Sequence, residues 1–319
     1  MSYLEVLDKN YDSQDFIILG TISSGNFASV FVAEWKNTPA KFAIKKFKET
    51  SKEEDIINEI KIMKLTPHPF IIRFYGVTKL KGENKCSLVL EYADGGTLRD
   101  YLRKNTIPFE WKVQLKLARE ITSAVLWLHD DRGIIHGDLH PNNILVHQNT
   151  IKLADFGRSS LKGSDCYNTE VWGVIPYVDP KAFDRKTPYK MNEKSDIYSL
   201  AVIFWELTSR SSPFNYETIN DHTSLMLDIL NGLREEPIIN TNARFIELYR
   251  KCWGLEPEKR PDIYKVNSEL NSIDSENNNT FTVPHSKEEI CKKIEYEDSD
   301  LSNCNKDCDL NAIMTFHES

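Results

Sequence analysis

Apolar and polar positions fall into four short runs along the first ninety residues. Phe16 to Thr21, Ala28 to Trp35, Lys41 to Phe47 and Ser87 to Tyr92 are β-branched or aromatic and broken by turn residues, which predicts strands. Between Lys52 and Leu65 the period changes. Ile56, Ile60 and Met63 recur at i, i+4 and i+7, one apolar stripe on a helix that Pro67 and Pro69 end. After Thr97 helices dominate. Leu117, Ile121, Ala124, Val125 and Leu128 outline a long amphipathic helix, and Ile197 to Leu207 is apolar almost all round, as a buried central helix would be. From Ser275 onward Asn, Ser, Asp, Glu and Lys leave too few apolar residues to bury, so a flexible polar tail is expected over 274–319. Ahead of it stand a short extension, 1–14, and an uninterrupted stretch, 15–273. No linker-like tract or repeat divides that stretch, which reads as one domain, strand-rich to about residue 92 and helical from about 93.

Composition narrows the function. The 319 residues are 40% apolar, enough for a sizeable core. A net charge of -8 and pI near 5.6 argue against a nucleic-acid partner, which would require clustered cations. The amino terminus lacks the apolar core of a secretory signal and no stretch reaches membrane-spanning length. No membrane insertion and a cytoplasmic or nuclear location are therefore expected. Six cysteines are too few for a disulfide scaffold and read as reduced thiols; Cys304, Cys308 and His317 lack a fourth metal ligand.

Candidate chemistry sits in three places. Ile22-Ser-Ser-Gly-Asn-Phe-Ala-Ser-Val30 is a small-residue turn of the kind that lets backbone amides approach phosphates, although Ser23 and Ala28 stand where a G-x-G-x-x-G loop has glycine and only Gly25 remains. On the strand ending in Phe42-Ala-Ile-Lys45, alternation puts Ala43 and Lys45 on one face, and Glu59 on the following helix is a candidate carboxylate partner. Third, His136-Gly-Asp-Leu-His-Pro-Asn-Asn143 is followed by Asp155-Phe-Gly157. Phosphoryl transfer needs a carboxylate to orient the attacking hydroxyl and oxygen ligands to hold Mg²⁺ against the phosphates. Asp138, Asn143 and Asp155 supply that set.

These motifs resemble the protein kinase family and, from Phe16 to Leu270, its tyrosine-kinase-like branch. The likeness extends through HPFIIRFYG, GVIPYVDPK, SDIYSLAVIFWEL and CWGLEPEKRP. The resemblance implies an α+β, two-lobed fold: a small antiparallel sheet with one helix, then a larger, mainly helical lobe. It implies ATP and Mg²⁺ as cofactors and a protein substrate. Lys45 would hold the α and β phosphates, Glu59 would pair with it, Asp138 would be the base, and Asn143 and Asp155 would hold the metal. Adenine would lie between Ile22, Val30, Ala43 and Leu145, with Gly25 in the phosphate loop, Leu90 as gatekeeper, and Glu91 and Ala93 offering hinge backbone contacts. Met63, Phe74, His136 and Phe156 would stack as a spine.

Three departures from the pattern matter. Gly137 replaces the arginine that pairs with an activation-loop phosphate, so phosphorylation among Ser159, Ser160, Ser164, Tyr167 and Thr169 is expected to matter less. His140 and Val174 replace a lysine and a threonine that contact the catalytic aspartate in serine/threonine kinases. Acceptor choice is left open by the loop itself, and the branch favours serine or threonine. Lys181 replaces a glutamate that pairs with an arginine, here Arg260; Asp179 or Glu206 is expected to take over Arg260 while Lys181 turns to solvent. Two rival readings are a nucleotide-binding scaffold and a small-molecule phosphotransferase, the latter because HGDLHPNN resembles its catalytic loop.

Overall fold

The computed structural model describes residues 10–104, 110–164, 173–184, 186 and 188–274; all lie in a first unit, Met1–Thr282. The expected tail after Asp274, together with Cys166, Tyr167, Thr169, Cys304, Cys308 and His317, falls outside them.

Among the described residues six strands form one sheet: β1 (Asn10–Tyr11), β2 (Phe16–Ser24), β3 (Ala28–Trp35), β4 (Lys41–Phe47), β5 (Phe74–Thr78) and β6 (Ser87–Glu91), in the order β1-β5-β6-β4-β3-β2. Pairing is antiparallel except for β1, which joins β5 in parallel, so part of the expected amino-terminal extension belongs to the sheet. β5 is also a strand the hydrophobic pattern missed, because Phe-Tyr-Gly-Val-Thr is short and broken by a glycine at the Phe74/Gly76 register shift. β2 runs past the expected Thr21 to Ser24, with register shifts between Ile18 and Gly20 and between Thr21 and Ser23. α1 (Glu53–Leu65) follows β4. Three acids in its first turn and Lys64 in its last complement the helix dipole, and Ile56, Ile60 and Met63 are buried as the stripe requires.

The second lobe packs around α4 (Glu193–Ser209). An Asn192–Ser195 capping box starts this helix, and every residue from Ser195 to Leu207 is buried. α2 (Leu98–Arg103), α3 (Trp111–Leu126), α5 (His222–Leu230), α6 (Ala243–Cys252) and α7 (Ile263–Ser272) surround it, and α3 continues into a π-helical turn, Trp127–Asp131. Four short strands lie where sequence pattern predicted mainly helix: β7 (Ile134–Ile135) pairs with β10 (Ser160–Leu161), and β8 (Ile144–His147) with β9 (Thr150–Leu153). Gln148 and Asn149, both at positive φ, close the β8–β9 hairpin in two residues, the backbone a tight hairpin turn needs.

Candidate active site

That hairpin brings two site residues together. With Ile144 opposite Leu153 and the Ala154 amide donating to the Asn143 carbonyl at 2.8 Å, the residues before β8 and after β9 become neighbours. Asn143 and Asp155, twelve residues apart in sequence, are thereby placed side by side. Asp155 adopts φ +63°, and its Oδ1 accepts from the Gly157 amide.

Lys45 is the hub. Its ammonium donates to Glu59 at 2.6 Å and to Asp155 at 2.9 Å, joining β4, α1 and the segment after β9. Burial works against the Lys45 charge, but the two carboxylates outweigh it and hold the amine above its ordinary value. Burial pushes Glu59 upward, with Lys45 pulling back. Asp155 also feels burial upward, yet the Lys45 charge brings it down to about 2, and its side chain remains 49% exposed. An ammonium has three donor hydrogens; two are used here and one is left for a phosphate oxygen.

Asp138 sits in the loop between β7 and β8. Its main-chain carbonyl and Oδ2 accept from Asn143 Nδ2 at 2.9 and 3.3 Å, and its Oδ1 lies 3.5 Å from His140 Nε2. Burial raises its pKa, but His140 and His136 together bring it below its ordinary value, so the carboxylate stays ionised. The loop backbone is held by Asp196 at the start of α4. This carboxylate accepts from the His136 amide (2.8 Å), the Gly137 amide (2.9 Å) and His129 Nε2 (2.7 Å). Sequence reasoning passed over Asp196; the available signal was an acid directly ahead of an all-apolar helical run.

For the adenine residues, register decides the face. Val30 pairs with Lys45, Val32 with Ala43, and Ala43 with Leu90, so Val30, Ala43, Lys45 and Leu90 share one side of the sheet. Ile22 stands in a register shift of β2 and is 51% exposed, while Leu145 and Ala93 are half-buried. The Glu91 amide is already committed to the Arg73 carbonyl at 2.9 Å. The Glu91 carboxylate meets Lys152 at 3.0 Å and borders a cavity of about 620 Å³ that also touches His68 and Arg73. That cavity contains none of Lys45, Asp138 or Asp155, and the convergence of charges locates the chemistry elsewhere. A Cβ at Gly25 would approach only the Ala28 carbonyl, at 3.7 Å, so the turn itself does not demand glycine there. In the spine, His136 and Phe156 rings lie 5.1 Å apart, both fully buried, with Met63 and Phe74 in the same core cluster.

The departures have structural answers. Gly137 has φ +78°, and a Cβ there would meet the Met191 thioether at 2.6 Å and the Arg158 carbonyl at 3.0 Å. Ser159 is 2% exposed and its hydroxyl donates to the His136 carbonyl, so of the expected phosphorylation sites this one is occupied with structure. Asp179, rather than Glu206, takes Arg260 in a buried bidentate pair at 2.6 and 2.9 Å, while Lys181 reaches out to Glu256. Glu206 is spent on Arg103 and the Tyr177 hydroxyl.

As for a metal, the donors fit a hard cation. Asp155 offers an ionised carboxylate oxygen, and Asn143, donating from Nδ2 to Asp138, keeps its amide oxygen as an acceptor. Among the described residues no group of three or more His, Cys, Asp or Glu side chains forms a metal cage. An ion here would complete its shell with phosphate oxygens and water.

A strand-rich lobe carrying a Lys–Glu pair, joined to a helical lobe carrying Asp138, Asn143 and Asp155, defines the two-lobed protein kinase fold. Residues 16–270 match the protein kinase domain, and the chain belongs to that family. It is 34% identical over 81% of its length to a protein of Acanthamoeba polyphaga mimivirus named as a serine/threonine-protein kinase/receptor. It is 26% identical over 85% of its length to mitogen-activated protein kinase kinase kinase 7 of Drosophila melanogaster. The matches cover 15% and 39% of those relatives. Among the described residues, no helix is long and apolar enough to cross a membrane.

Proposed function

We propose that the chain is an ATP-dependent protein kinase of the tyrosine-kinase-like branch, acting on serine or threonine hydroxyls in intracellular signalling. The observation that carries this reading is the Lys45–Glu59 and Lys45–Asp155 pairing next to an ionised Asp138 tied to Asn143. The acceptor type rests on the names of relatives, and the branch on the sequence motifs and the Drosophila relative. The catalytic domain is taken as 15–273, with 1–14 and 274–319 as extensions, and the location as cytoplasmic.

In this reading Asp138 orients the acceptor hydroxyl and takes its proton as the oxygen attacks the γ-phosphorus and the bond to the β–γ bridging oxygen breaks. Lys45, kept charged and aimed by Glu59, grips the α and β phosphates with its remaining hydrogen. Asn143 and Asp155 would hold Mg²⁺, which supplies neutralisation of phosphate charge. Val30, Ala43, Leu90 and Leu145 give adenine an apolar slot, Ile22 covers it from β2, and Glu91 and Ala93 offer edge contacts.

The test is transfer from ATP with magnesium to a mixed protein substrate, comparing wild type with Asp138→Asn, with the phosphorylated residue type read by mass spectrometry. Transfer that falls by about 10²–10⁴-fold in the variant is expected for loss of a general base. Measurable ATP binding without transfer by the wild type would mean a scaffold instead.

A further inference from the structure

The flank of Asp138 that faces His140 is built differently from the lysine–threonine arrangement set out above. Val174 has no hydroxyl, and Gly173 lies so close that a Cβ there would come within 3.2 Å of Asp138 Oδ1. The polar side chain on that flank is His140, 7% exposed, with Nε2 3.5 Å from the same oxygen. Its position is held twice over. The His140 carbonyl accepts from the Asn143 amide at 2.9 Å, and the ring leans on Tyr177 at 6.1 Å between centroids. Tyr177 in turn is fixed by its hydroxyl on Glu206, a fully buried acid of α4 that also holds Arg103. His140 Nδ1 is buried with no hydrogen-bond partner among the described residues. Ring orientation is therefore set by packing and by Asp138, not by a second polar contact.

We propose that His140 is a positioning residue for phosphoryl transfer: its Nε2–H, on a ring braced by Tyr177, aims the Asp138 carboxylate at the acceptor hydroxyl in place of a lysine–threonine pair. The inference rests on the protein kinase reading. A distance of 3.5 Å is long for a hydrogen bond, and contacts of this kind shorten when substrate closes the site. Because the ring touches the base and Tyr177, its loss should act on the chemical step more than on nucleotide binding.

His140→Phe keeps a ring against Tyr177 but removes the donor; His140→Lys restores a donor without the ring. Both are assayed against wild type and Asp138→Asn for kcat, ATP KM and melting temperature. The expected result is a drop in kcat of at least about tenfold for His140→Phe, with ATP KM within about twofold. Its melting temperature should match wild type, and kcat should return to within about threefold in His140→Lys. An unchanged kcat in His140→Phe overturns the proposal, as does a kcat loss that tracks a lowered melting temperature or that lysine does not rescue. An inactive wild type would instead remove the kinase reading itself, and activity lost only in Asp138→Asn would remove the role of His140 alone.

Discussion

Asp179→Asn is the sharpest test of how this chain manages its buried arginine. Arg260 and Asp179 side chains are 0% and 1% exposed, and their two hydrogen bonds of 2.6 and 2.9 Å join the segment before Lys181 to the loop ahead of α7. Arg260 also donates to the carbonyls of Gly254, Lys194 and Leu255, so it cannot swing out to water without breaking several contacts at once. Asparagine keeps the volume and the oxygen that caps the Lys181 amide, but it removes the charge and replaces the oxygen that accepts from Arg260 Nη1 with an NH2 donor. Breaking a buried pair from one side costs about 3–5 kcal/mol, because the remaining charge stays desolvated. An unfolding entropy of about 2.1 cal/mol/K per residue, taken over the residues 16–270 of the family match, gives roughly 0.5 kcal/mol/K. The variant should then melt about 6–9 °C below wild type. Lys181→Ala is the control: its partner Glu256 is 51% exposed, and such a surface pair is worth less than about 1 kcal/mol, a shift under about 2 °C. Differential scanning calorimetry on both variants measures the contrast. Asp179→Asn melting within 2 °C of wild type, or Lys181→Ala falling as far as it does, would refute the reasoning.

Gly137→Ala forces a Cβ onto a left-handed residue and into Met191, and should cost about 1–3 kcal/mol in denaturant unfolding; an equally stable variant would show that the loop relaxes freely. Asp196 is held below the ordinary carboxylate range: burial pushes it up, but His129 and the loop amides more than compensate. Its contribution is present above the unfolded value near 3.9 and lost as pH falls through the lower folded value. Asp196→Asn should therefore unfold with a flatter acid limb below about pH 4, and an unchanged limb would point to another carboxylate. Ser160→Ala with Ser164→Ala should leave kcat within about threefold, since Gly137 offers no guanidinium to a phosphate there and β7–β10 pairing with the Lys162–Glu193 ion pair already holds the segment. Collapse of turnover in that double variant would show that a phosphate is needed.

Much of this protein was determined locally. Short β-branched and aromatic runs broken by turn residues predicted β2, β3, β4 and β6, the i, i+4, i+7 stripe predicted α1, and the all-apolar run predicted the buried α4, because these signals lie in neighbouring residues. Short spacings also made the chemistry legible: Asp138 and Asn143 lie on one loop, and the two-residue hairpin fixes Asp155 next to them. What only the tertiary structure decided was which distant charges meet. Lys45 and Asp155 are separated by 110 residues and Asp179 and Arg260 by 81, so no local pattern reports them. Asp179 and Glu206 were equivalent candidates on paper; packing gave Glu206 to Tyr177 and Arg103, and desolvation then left Asp179 as the partner Arg260 requires. The burial of Ser159 and the turn of His140 toward Asp138 belong to the same class. Each depends on side chains converging from separate elements, and that is a property of the folded chain alone.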